Sequence, residues 1–218
     1  MNDLHFKHAI HLALFAFLML IAAPVLADDV RITTLKEDST FTLNERTFTI
    51  SRIQDTTNAL TGPFTLTSRA CPPNCLQPMT IAAGVVTLGE LEVLTFLETE
   101  AAGRKGLLLD SRLPEDFATG SIPSAVNVPY ATLVAENPYR SDILQALGAV
   151  ALSDGRLDFA NSMSLALFGG GVWSNDAPMA ISHLLAAGYP PEKLFYYRGG
   201  MQAWVQVGLT VQAPHTPG

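Results

Sequence analysis

Few side chains in this 218-residue chain are equipped for chemistry, and they fall into three groups. Cys71 and Cys75 are the only cysteines. Three residues between two thiols permit a small disulfide loop, a thiol–disulfide redox pair, or two thiolates on Cu(I). In an oxidising compartment the plain expectation is a disulfide between the two. The second group is Gly169-Gly170-Gly171-Val172-Trp173-Ser174, a glycine-rich run between an apolar stretch and a helical one. Backbone N–H groups in such a loop, with the positive end of the next helix, can cradle thiosulfate, sulfate or phosphate. Ser174 has no nearby histidine to activate it, so its position suits a helix cap better than a nucleophile. Asp176, in the first helical turn, works against a tightly held anion. The third group is Asp110-Ser111-Arg112, at the end of an expected strand, where open α/β sheets place their crevices. Arg112 is a candidate anion ligand. Asp110 is read as its structural ion-pair partner, tying the strand end to the Gly120 loop.

Alternating strands and helices position these groups. Helical spacing is expected over 88–98, 143–147, 177–187 and 201–207, and short apolar strands over 107–109, 125–128, 164–168 and 194–197. Such alternation implies a largely parallel sheet with helices on both faces, an α/β fold. Upstream, Phe41, Leu43, Phe48 and Ile50 alternate with polar residues about a turn at Asn44-Glu45, which predicts a hairpin with one buried face. Pro72, Pro73 and Pro78 forbid helix and central strand around the cysteines, so a rigid, extended connector is expected there. The division is a leader over 1–27, a small β-rich unit over 28–67, the Pro/Cys connector over 68–84 and the α/β domain over 85–213.

The leader has Lys7 and three histidines ahead of an apolar run from Ala13 to Ala23, then small residues at Val25 and Ala27. This pattern predicts a secretory signal cut after Ala27, and hence a periplasmic or otherwise exported protein that does not span the membrane once cleaved. The run is shorter than the roughly 20 apolar residues a span requires. Net charge is −7, and Asp3 and Lys7 cancel within the leader. An acidic chain without a Lys/Arg cluster offers no electrostatic reason to bind nucleic acid. Beyond the leader only His183 and His215 remain, so a histidine-built metal site has little raw material, and no cofactor or metal is expected.

Several of these segments resemble, in order, the rhodanese family. They are Asp110-Ser111-Arg112, Glu115 and Phe117, then Gly120-Ser121-Ile122-Pro123-Ser124-Ala125-Val126-Asn127-Val128-Pro129, the 168–180 loop and helix, and Arg198-Gly199-Gly200-Met201 with Trp204 and Gly208. The resemblance spans about 85–211 and implies a sulfurtransferase fold, in which a loop cysteine becomes a persulfide. Aligning the loop on Gly171 and Ser174 puts Phe168 at that cysteine. Aligning it on Gly171 and Trp173, the preferred register, puts Gly169 there. Neither register supplies a thiol. The resemblance therefore implies a pseudoenzyme that binds an anion or a protein partner. The alternative is a sulfurtransferase, redox or copper-handling protein working through Cys71 and Cys75. Their spacing is also similar to that of copper-delivery proteins with a thioredoxin fold, which would need His183 or His215 as a further ligand.

Overall fold

The computed structural model describes residues 29–213. The expected leader and His215 lie outside the described residues. Five parallel strands form the central sheet: β3 (Val86–Leu88), β4 (Gly106–Asp110), β5 (Val126–Asn127), β8 (Ser164–Phe168) and β9 (Leu194–Tyr197), in the order β3-β9-β8-β4-β5. The helices are α1 (Glu90–Phe96), α2 (Pro114–Ala118), α3 (Arg140–Ala146), α4 (Asp176–Ala186) and α5 (Gly200–Gln206). Two antiparallel pairs complete the chain, β1 (Ser39–Leu43) with β2 (Arg46–Ile50), and β6 (Val150–Ala151) with β7 (Leu157–Asp158).

The centre of the sheet is β8, between β4 and β9. Its unbroken apolar run has no solvent face, as a strand covered on both sides requires. Successive side chains on a strand point to opposite faces. Leu165 and Leu167 therefore join Leu184, Ile181 and Tyr196 in one core. Ala166 and Phe168 join Leu94, Met201 and Trp204 in the other. The register of β8 sets Phe168 level with Asp110 on β4 and Tyr197 on β9, so three strands end together at one rim.

One expectation holds and two change. The expected hairpin forms, β1 with β2, and its buried face packs on the α/β domain: Phe41 and Ile50 lie in the same core as Phe168 and Trp204. Removing each of these apolar side chains from water contributes about 1.5–3 kcal/mol. Backbone hydrogen bonds from Ile53 to Gly208 (2.7 Å) and Thr210 to Ser51 (3.0 Å) join the segment after the hairpin to the tail beyond α5. The connector is not an extended strut. Cys71 and Cys75 form a disulfide with Cα atoms 4.7 Å apart, and the Asn74 N–H donates to the Ala70 carbonyl at 3.0 Å, closing a tight turn. Finally, the helix expected over 88–98 begins later, at Glu90, and after Phe96 widens into a π-turn over Leu97–Ala101. Residues 86–88 form an edge strand instead.

Candidate active-site loop and cleft

The rim formed by the ends of β4, β8 and β9 carries the candidate groups. Arg112 is 4% exposed and Asp110 is fully buried. The guanidinium grips that carboxylate, Nε to Oδ1 at 2.9 Å and Nη2 to Oδ2 at 2.6 Å, and Nη2 also donates to the Gly120 carbonyl at 2.7 Å. The Arg112 backbone N–H at 3.1 Å and the Ser121 hydroxyl at 2.7 Å also donate to Asp110. Arg112 does line the cleft described below, but its charge is balanced by Asp110 and two of its nitrogens are engaged. A buried pair with this many bonds holds the strand end in place. Most of the guanidinium's donors are thereby engaged within the chain.

The loop after β8 runs Gly169-Gly170-Gly171-Val172-Trp173-Ser174 into α4. Phe168 points into the core, fully buried, with its ring 6.4 Å from that of Tyr197. At Gly169 a side chain would instead point inside the loop, and that space is filled. A Cβ there would lie 2.7 Å from the Ser174 hydroxyl and 3.2 Å from both Cβ and Oδ2 of Asp176. The Ser174 hydroxyl donates to Asp176 Oδ2 at 2.5 Å and accepts from the Asp176 N–H at 3.2 Å. The Gly170 backbone also lies on the side of this carboxylate and favours its charged form. The anion in the glycine cradle is thus the chain's own. Burial pushes the Asp176 carboxyl above its usual range; the bond from Ser174 and the Gly170 backbone oppose that, and Asp116 and Asp110 reinforce it. Ser174 lies one residue ahead of the helix N-cap, Asn175, and is tied to Asp176.

Trp173 closes the loop from the other side. Its indole stacks so tightly on Gly170 that a Cβ there would meet the ring at 2.8 Å, and its Nε1 donates to Gln202 on α5. Gly200, at φ +57°, lets the start of α5 approach the loop. A Cβ at Gly200 would fall 2.4 Å from the Gly169 carbonyl oxygen, so only glycine fits. The Met201 and Gln202 N–H groups donate to the Gly169 and Gly170 carbonyls, both at 3.0 Å.

The connector folds over this loop, which nothing in the residue pattern foretold. The Arg69 guanidinium sits 3.8 Å above the Trp173 ring. The Gln77 N–H donates to the Val172 carbonyl at 2.9 Å, and the Gln77 carbonyl accepts from Arg198 Nε at 2.9 Å. Between connector and loop lies a cleft of about 1040 Å³, with Pro72, Pro73 and Cys75 facing Gly170, Trp173 and Asp176. A second cavity of about 550 Å³ behind Trp173 is bordered by Cys71, Val172 and Gln202. The disulfide therefore has one sulfur-bearing residue at each cavity. His183 borders neither, and among the described residues no group of three or more His, Cys, Asp or Glu comes together as metal ligands.

A family model described as rhodanese-like domain matches residues 94–207. Among solved structures, a rhodanese-related protein from Thermoplasma volcanium is 18% identical at a TM-score of 0.41, over 59% of this chain and 99% of that one. A thiosulfate sulfurtransferase from Pseudomonas aeruginosa is 23% identical at a TM-score of 0.40, over 61% of this chain and 21% of that one. A human single-domain sulfurtransferase is 21% identical at a TM-score of 0.37, over 57% of this chain and 96% of that one. No curated protein matches. No helix among the described residues is long and apolar enough to cross a membrane.

Proposed function

This chain belongs to the rhodanese-like domain family, and from that premise we propose that it is an exported pseudoenzyme that binds a partner in the cleft over its 169–174 loop. One observation carries the reading. The space where a loop cysteine would stand, at Gly169, is taken by Ser174 and Asp176, so a carboxylate sits where a persulfide and its anionic substrate would be held. A thiolate is both nucleophile and sulfur carrier in such chemistry, and an unactivated hydroxyl replaces neither role. Export is inferred from the leader, with its basic start and short apolar run. The reading favours a partner over a small anion, because the Asp176 carboxylate already lies against the loop and holds the Ser174 hydroxyl.

The purified protein is assayed for thiocyanate from thiosulfate and cyanide, and the fluorescence of Trp173 is followed in a Trp204→Phe variant during titration with thiosulfate and sulfate. The expected results are thiocyanate at the protein-free rate and no saturable change in emission. Sustained turnover sinks the pseudoenzyme, and saturable quenching by either anion sinks the preference for a partner.

A further inference from the structure

The loop has no sulfur, yet its cleft does, on the facing wall. We propose that the Cys71–Cys75 disulfide is a thiol–disulfide exchange centre for a dithiol ligand seated in the cleft. This goes beyond the reading above, which seats a partner in the same cleft but assigns the disulfide no chemistry.

Three observations place reactive chemistry there. The first is access: Cys71 is exposed, Cys75 is half-buried, and Cys75 helps to wall the large cleft. A structural staple is ordinarily shielded, whereas exchange requires direct approach of sulfur to sulfur. The second is positioning. Gln77, two residues on, is held on one side by Val172 and on the other by Arg198, and its side-chain amide donates to the Cys75 carbonyl at 2.9 Å. The disulfide turn is thereby held against the loop through bonds that do not involve either sulfur. The third is charge. Arg69 lines both cavities, and its Nε is buried without a hydrogen-bond partner. A guanidinium lining both cavities puts positive charge in the spaces that Cys71 and Cys75 also line, which favours a thiolate there.

The exchange proceeds in two steps. A ligand thiolate attacks Cys75 Sγ, a ligand S–Cys75 bond forms, and the Cys75–Cys71 bond breaks. The electron pair leaves with Cys71 Sγ as a thiolate at the smaller cavity. The ligand's second thiolate then attacks its own sulfur in the mixed disulfide and expels Cys75 as thiolate. The ligand departs as a disulfide, oxidised by two electrons. Its two protons balance the two thiols formed at Cys71 and Cys75. A disulfide such as glutathione disulfide restores the cystine by the same steps in reverse, yielding two glutathione thiols.

The test compares the whole protein with an oxidised synthetic peptide of residues 69–77 at equal concentration. Each is added to dithiothreitol and glutathione disulfide, and glutathione release is followed while circular dichroism reports the fold. The proposal expects the native protein to accelerate exchange at least tenfold over the peptide, and Cys75→Ser to abolish the gain. Smaller acceleration, or acceleration only as the native signal is lost, overturns it and leaves a structural cystine. Neither thiosulfate nor cyanide is present, so this result is independent of the pseudoenzyme reading.

Discussion

Placing a cysteine in the loop, by Gly169→Cys, tests directly whether the filled cradle keeps a thiol there from reacting. A Cβ at that position approaches the Ser174 hydroxyl to 2.7 Å and Asp176 Oδ2 to 3.2 Å, and the sulfur extends further into the same space. Forcing atoms into a filled site costs about 1–3 kcal/mol. Electrostatics adds to this. A thiolate some 4 Å from an ionised carboxylate is repelled by about 4 kcal/mol at an effective dielectric constant near 20. That repulsion lowers the thiolate fraction at neutral pH by on the order of a hundredfold to a thousandfold, for a thiol whose ordinary pKa is about 8.5. Gly169→Cys alone is therefore expected to yield an unreactive thiol and no thiocyanate. Adding Asp176→Ala removes the repulsion and the Oδ2 contact, and unties the Ser174 hydroxyl so that it can turn away from the new side chain. The double variant should alkylate with iodoacetamide at pH 7 at least tenfold faster than the single one, and only it should form thiocyanate. Equal alkylation rates and equal turnover in the two variants would refute the argument that Asp176 fills the cradle.

Two further outcomes follow from the same rim. Because burial raises the Asp176 carboxyl in the folded protein, the native state holds its proton more tightly than the unfolded chain does. Stability contributed by this group is then greatest in acid and declines as pH rises from about 4, the unfolded carboxyl value, through the higher folded one. Urea titrations across pH should show Asp176→Asn flattening that decline, and an unchanged slope would count against it. Asp110→Ala leaves the buried Arg112 guanidinium without its counter-charge, and should cost about 3–5 kcal/mol in urea unfolding. A loss under 1 kcal/mol, with the surface baseline at about 0–1, would mean that the pair does not hold the strand end.

Much of the sheet was readable before any coordinates. The apolar runs at 107–109, 164–168 and 194–197 have no polar face, and only strands covered on both sides are built that way. The α4 helix was legible for the complementary reason, an apolar stripe long enough to show its period. Short elements carried too little pattern: α2, β3 and the β6–β7 pair occupy two to five residues each. At the site, the absence of a cysteine was plain, and a disulfide between the two cysteines that do exist was the first of three readings, beside a redox pair and a copper site. Asp176 was visible as an opponent of bound anions, but its place inside the loop depends on the path of 169–175, which a run of three glycines leaves open. The position of the connector over the loop was hidden for a similar reason. Prolines restrict how a chain turns locally but do not say what it turns towards, and Arg69 on Trp173 joins residues far apart in sequence.

The docking of the hairpin has a practical corollary for anyone handling this protein in pieces. The family match begins at residue 94, but the mechanical unit begins more than fifty residues earlier. A fragment started at Val85 would shed Phe41 and Ile50 and bare the greasy flank beneath them, including Trp204, which is 0% exposed in the intact chain. Uncovered aromatic surface of that kind drives self-association. The fragment defined by homology alone should come out of solution, and the longer piece that keeps residues 30–84 should stay in it.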